Sequence, residues 1–160
     1  MDKEFTCCFS GHRKLTLQQT CSAYDETIKT IKRLIERGYK RFCCGGALGY
    51  DTLAAQAVIE LREHFDIKLV LILPCVNQDQ RWNTKDKSIY NQIKGEADEV
   101  IYTAQEYANG CMHKRNRALV DSSSVCVCFL KTQSGGTAYT VEYAKKRGLE
   151  VINLANVGQQ

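Results

Sequence analysis

RFCCGGALGYDTLAAQAVIELREHFDIKLVLILP, residues 41–74, reads as strand, loop, helix and strand in direct succession. Arg41–Cys44 reads as a short strand, apolar from Phe42 on and ended by glycines. Thr52–His64 carries helical periodicity, and Asp51 stands where a helix cap is expected. Ile67–Leu73 is apolar but for Lys68 near its start, the pattern of a strand buried on both faces, and Pro74, the chain's one proline, ends it. Two such strands joined by a helix make a parallel βαβ unit.

The same alternation extends to both ends of the chain. Before it lie a strand at Phe5–Ser10 and a helix at Thr20–Arg37, with Tyr24, Ile28, Ile31 and Ile35 on one stripe and Gly38 as its stop. After it come helices at Thr84–Lys94, Met112–Asp121 and Ala138–Arg147, and strands at Glu99–Tyr102, Val125–Leu130 and Val151–Leu154. The expectation is an α/β fold: a doubly wound, Rossmann-like parallel sheet of about six strands with helices on both faces. Right-handed crossovers leave few topologies, and the order 3-2-1-4-5-6 is expected, as one domain over residues 1–160.

Composition narrows the class. Of 160 residues, 44% are hydrophobic and 25% charged, as in ordinary globular proteins. The longest purely apolar stretch, Val125–Leu130, is too short to cross a bilayer, as is Leu69–Leu73, and MDKEF shows no signal-peptide pattern; a cytoplasmic protein without a membrane role is expected. Among nine cysteines, Cys7, Cys8, Cys43, Cys44, Cys126 and Cys128 sit in apolar runs, where a thiol serves as a small hydrophobe in a reducing compartment. No CxxC pair exists, so no metal is expected. The net charge of +4 is mild, and Lys29, Lys32, Arg33, Arg37 and Lys40 read as the solvated face of one helix. That argues against nucleic acid as the partner.

In an open parallel sheet, ligands bind outside the carboxyl ends of the strands, where strand order reverses. The connections on that side are SGHRK (Ser10 to Lys14), GGALGYD (Gly45 to Asp51), PCVNQDQRW (Pro74 to Trp82), NGCMHKRN (Asn109 to Asn116) and KTQSGGTAYT (Lys131 to Thr140). Those on the opposite side, such as ERGYK and KRGLE, are plain turns. Glycines ahead of a helix let its free N–H groups approach an anion, and two of these loops do so, which suits a phosphate or pyrophosphate. The ligand-binding candidates are therefore Ser10, Gly11, His12 and Arg13; Gly45, Gly46, Gly49 and Asp51; Pro74 and Trp82; Arg115 and Asn116; and Ser134, Gly135, Gly136, Thr137 and Thr140. His12 and Arg13 would bring a cation to a phosphate, and Trp82 would stack on a base. Cys75 and Cys111 lie outside the strands, but a nucleophilic thiol needs a base, and His113 alone is near in sequence.

Known fingerprints are missing. GxGxxG does not occur, which disfavours a nicotinamide dehydrogenase; neither does the GxxxxGK[ST] P-loop nor the GxSxG elbow. No cofactor is expected.

Taken in order, these motifs resemble the SLOG superfamily, the Rossmann-like group that includes the DNA-processing protein A core and the Lonely Guy phosphoribohydrolases. FSGHR at Phe9–Arg13, the PC…Q..W region and the stretch Trp82–Lys87 are most similar to its small, stand-alone YpsA-like branch. GGALGYDTLAAQ resembles the GxAxGID-type loop of the DNA-processing proteins, and GGTAYTVEYA their GTxxTxxYA pattern, through Thr137, Thr140, Tyr143 and Ala144. The resemblance covers essentially the whole chain. It implies a site for a nucleotide or a nucleotide-derived, ADP-ribose-like molecule, with the chain acting as a sensor or regulatory module. It also implies dimerisation.

Enzymatic members of the superfamily cleave the N-glycosidic bond of nucleoside 5′-monophosphates with the arginine of an MHxRK-like motif and the glutamate of PGGxGTxxE. Met112–Arg115 is similar to the first motif, with Asn116 in place of its lysine. For the second, aligning Gly135-Gly136 puts Glu142 at the catalytic position, whereas aligning Gly136-Thr137 puts Thr140 there; Ser134 replaces the proline and Ala138 a glycine. Arg115 and Glu142 are the catalytic pair if the protein is a hydrolase. Single-stranded DNA binding is a third, weaker implication.

Overall fold

The computed structural model describes residues 2–156. Six strands form one parallel sheet: β1 (Thr6–Gly11), β2 (Arg41–Cys44), β3 (Lys68–Leu73), β4 (Glu99–Tyr102), β5 (Val125–Phe129) and β6 (Glu150–Asn153). Five α-helices connect them: α1 (Leu17–Glu36), α2 (Tyr50–Arg62), α3 (Thr84–Glu96), α4 (Cys111–Asp121) and α5 (Gly136–Lys146). One core, between the sheet and α1, α2 and α3, joins Phe9, Phe42, Leu71 and Val127 to Ile31, Leu34, Val58 and Tyr90. The other, under α4 and α5, joins Cys8, Val70, Ile72 and Cys126 to Leu119, Val120, Val141 and Ala144. The two cores take alternate residues of each strand, as the pleat requires.

The strand order is 4-3-2-1-5-6, not 3-2-1-4-5-6. β4 lies at the outer edge against β3, with Val70 opposite Glu99 and Leu73 opposite Tyr102. The reason is in the side chains. β5 is VCVCF, buried at every residue, and fits only the interior; β4 is EVIY, with Glu99 and Ile101 exposed, and fits an edge. α4 then carries the chain back across the second face, over β3 and β1, to β5. The reversal consequently falls between β1 and β5, and the loops after these two strands flank the crevice.

Two helix starts differ from expectation. α1 begins at Leu17 because Thr16 and Gln19 form a reciprocal capping box. α2 begins at Tyr50 behind Gly49, so Asp51 is not its cap; the Asp51 carboxylate instead reaches back to accept the Ala47 N–H at 3.2 Å.

Candidate functional site

All five helices start at the same rim, yet their first turns are finished in two ways. α1 and α3 are closed by side chains: Thr16 accepts the Gln19 N–H, and Asn83 Oδ1 accepts the Asp86 N–H at 2.8 Å. α2, α4 and α5 have glycine at the cap, Gly49, Gly110 and Gly135, each at positive φ and none supplying a side-chain cap. These three uncapped helices line one cavity of about 300 Å³ beside the β1–β5 crevice. α5 is the most open. Its first intrahelical bond to the cap runs from the Tyr139 N–H to the Gly135 carbonyl, and the N–H groups of Gly136, Thr137 and Ala138 find no protein acceptor among the described residues.

The loop after β1 supplies another wall. His12 Nε2 accepts the Lys131 N–H at 2.8 Å, tying the β1 and β5 loops across the crevice, and its ring meets Phe129 edge-on. This bond needs the neutral imidazole. Partial burial, helped by the Lys131 charge, pulls its pKa down. His12 is thus a strut rather than the cation expected of it. Arg13 is exposed, lines the cavity, and its side chain forms no hydrogen bond or ion pair among the described residues.

Beneath the cavity lie two buried charged residues. Arg115 is 3% and Asp51 6% exposed. The guanidinium donates from Nη1 to the Gly45 carbonyl and from Nε to Asn116 Oδ1 at 2.8 Å. Burial raises Asp51 to about 6, against the opposing pull of Arg115 and the Ala47 N–H; burial likewise lowers Arg115, which Asp51 opposes. Arg115 therefore holds the loop after β2 to α4, and these contacts use two of its five N–H donors.

The glycines divide into two groups. A Cβ at Gly11 would fall 2.4 Å from Tyr50 Cβ, at Gly45 2.6 Å from Arg115 Nη1, at Gly46 2.5 Å from Leu73 Cδ2, and at Gly49 2.3 Å from the Arg13 carbonyl oxygen. Close packing requires all four. A Cβ at Gly135 or Gly136 would meet nothing within 4 Å.

The remaining candidates separate. Ser10, Gly11, His12, Arg13, Asp51, Arg115, Asn116, Ser134, Gly135, Gly136 and Thr137 come together around the cavity. Thr140 is buried and spends its hydroxyl on the Gly136 carbonyl at 2.9 Å. Pro74 is buried at the end of β3, and Trp82 lines a neighbouring cavity, edge-to-face on Tyr90. Glu142 is exposed and faces a different groove of about 950 Å³ between α5 and the edge strand β6, so Arg115 and Glu142 do not share a site. That groove is larger, but a single helix amino terminus reaches it. Cys75 is buried and its thiol pKa raised, by desolvation first and then by Cys111; His113 stacks on Tyr139 at 4.0 Å. Neither arrangement makes a nucleophile–base pair.

Outside the candidate set, Ala47, Met112 and His113 also line the cavity, and Lys131 is the partner of His12. The missing caps, by contrast, are legible in sequence: Thr16 and Asn83 precede the closed helices, and glycine precedes the open ones.

The profile of the YspA SLOG family (YpsA) matches residues 7–154. The chain belongs to this family. One relative, the uncharacterized SPbeta prophage-derived protein YoqJ of Bacillus subtilis (strain 168), is 32% identical over 136 residues, 76% of this chain and 80% of YoqJ. A UPF0398 protein of Macrococcus caseolyticus (strain JCSC5402) is 33% identical over 86 residues, and there the match spans 54% of this chain and 47% of the relative. Among solved structures, DNA processing protein A from Helicobacter pylori, described for its single-stranded DNA binding mode, aligns with a TM-score of 0.68 at 19% identity over 94% of this chain and 65% of its own. TM1055 aligns with a TM-score of 0.60 at 19% identity, over 95% and 78%. At these identities the likeness to both structures is one of fold. Among the described residues, no helix is long and apolar enough to cross a membrane.

Proposed function

We infer that this SLOG protein binds a phosphorylated, nucleotide-derived ligand of the ADP-ribose or nucleoside-monophosphate kind at the crevice between β1 and β5, as a sensor or regulatory module. One observation carries the reading: the three helices around the cavity lack side-chain caps, while the two helices away from it have them. Free N–H groups at a helix amino terminus favour an anion, and three termini in one cavity reinforce one another. Arg13 adds an exposed positive charge at the cavity. Adenosine 5′-monophosphate, ADP-ribose and pyrophosphate are expected to raise the melting temperature in proportion to the logarithm of their concentration. A flat response to the whole series counts against the reading.

Hydrolysis of a nucleoside 5′-monophosphate is the second reading, and a different carboxylate favours it. Glu142 faces away from the cavity, but Asp51 lines it with a pKa of about 6, within the range of a general acid. Release of free base from a nucleotide panel, lost in Asp51→Asn and kept in Glu142→Gln, supports this reading; absence of release removes it. The single-stranded DNA bound by the Helicobacter protein of like fold raises a third ligand. A mobility shift that weakens steeply with salt is its test. Sedimentation equilibrium tests the expected dimer.

A further inference from the structure

A second cavity, of about 350 Å³, lies on the first face of the sheet among α1, α2 and α3. The two cavities flank the first turn of α2: Ala47 and Asp51 border the first, Gly49 and Thr52 the second, and Arg13 borders both. Their chemistry differs. The first offers backbone N–H groups and a buried acid. The second has apolar walls, Leu53 and Ile89, beside the partly buried ring of Trp82, which Tyr90 holds edge-to-face with centroids 5.1 Å apart. Gln56 and Asp86 add hydrogen-bonding groups to that lining. The Asp86 backbone is fixed by the Asn83 cap, while its carboxylate forms no hydrogen bond or ion pair among the described residues.

Resting on the phosphate reading above, we propose that this second cavity is the nucleobase subsite of the same ligand, and that it takes an aminopurine. The phosphate lies at the uncapped termini, the sugar crosses outside the close contact of Gly49 with the Arg13 carbonyl, along the exposed Arg13 side chain, and the base packs against Trp82. Aromatic rings stack on any base. Selection comes from Asp86: an ionised carboxylate only accepts, and the exocyclic amino group of adenine or guanine supplies the donor it lacks. Gln56 both donates and accepts and completes the edge.

Trp82 is the chain's single tryptophan, so its fluorescence reports on this cavity alone. Adenosine and guanosine 5′-monophosphates and ribose 5-phosphate are titrated while emission is followed, with thermal shift as an independent measure of binding. At least one purine nucleotide is expected to change Trp82 emission and to bind at least tenfold tighter than ribose 5-phosphate, which binds without changing it. Asp86→Asn, on an exposed turn, is expected to weaken that nucleotide about tenfold and leave ribose 5-phosphate unaffected; Trp82→Phe keeps the packing and abolishes the signal. If the nucleotides bind no tighter than ribose 5-phosphate and emission stays constant, the base subsite is wrong while the phosphate site stands. If none of the three binds, both readings fall.

Discussion

Replacing Gly136 by leucine separates ligand binding from folding. Gly136 is the first residue of α5, its φ is not in the left-handed region, and a Cβ there meets nothing within 4 Å. Leucine is also the better helix former, so the ligand-free variant should be as stable as the parent, or more stable by up to about 1 kcal/mol. The side chain, however, enters a cavity of about 300 Å³ and covers the N–H groups offered to a phosphate. A hydrogen bond to a charged group contributes about 1.5–3 kcal/mol, so losing two weakens binding roughly a hundredfold or more. At a ligand concentration of about a hundred times Kd, the parent gains about 2.7 kcal/mol, or about 5–10 °C in Tm for a domain of this size. The variant at the same concentration gains about 0.4 kcal/mol, about 1 °C. Differential scanning fluorimetry with ADP-ribose and adenosine 5′-monophosphate measures both. An undiminished shift in Gly136→Leu, or a ligand-free variant that has lost its fold, refutes the reasoning.

Gly46→Leu should behave in the opposite way: at φ +72°, with Leu73 Cδ2 2.5 Å from the new Cβ, it lowers Tm without ligand. Arg115→Ala removes the donor to the Gly45 carbonyl and a positive charge near the Asp51 carboxylate, and should cost about 1–3 kcal/mol in urea unfolding. Asp51 makes stability depend on pH in a definite direction. Its folded pKa of about 6 lies above the ordinary value of 3.8, so the native state holds the extra proton between them. Unfolding free energy therefore falls as pH rises from about 4 to about 6, by about 3 kcal/mol at most, and is level on either side. Urea midpoints across that window should show this component in the parent and not in Asp51→Asn. Glu142→Gln, on the outer groove, should leave both Tm and every ligand-induced shift unchanged.

Much of this fold is written in local patterns. Strands β2 and β4 have the bounds that their apolar runs imply, and the other elements shift by a few residues at their ends. The sheet's order was harder to read. Connection length does not say whether α4 leads to a neighbouring strand or back across the sheet; the exposed Glu99 and Ile101 of β4 carry that information. The site was legible as a set of loops but not as roles. Gly45, Gly46 and Gly49 resemble the cavity-lining glycines at the start of α5 in sequence, and only the positions of Arg115, Leu73 and the Arg13 backbone reveal that they serve packing. The pairing of His12 with Lys131 and the placing of Glu142 outside the cavity depend on residues more than a hundred positions apart or on which side of α5 faces the sheet. No local spacing encodes either. The second cavity draws on inner faces of three helices, and Trp82 alone marked it in the sequence.

The central claim is that the open first turns of α2, α4 and α5 hold a phosphate. Backbone amide chemical shifts, followed by nuclear magnetic resonance as ADP-ribose is added, test it residue by residue. The largest changes are expected at Gly136, Thr137 and Ala138, with further changes at Asp51 and at Met112 and His113. Saturable binding that leaves the amides of Gly136–Ala138 unmoved would contradict it.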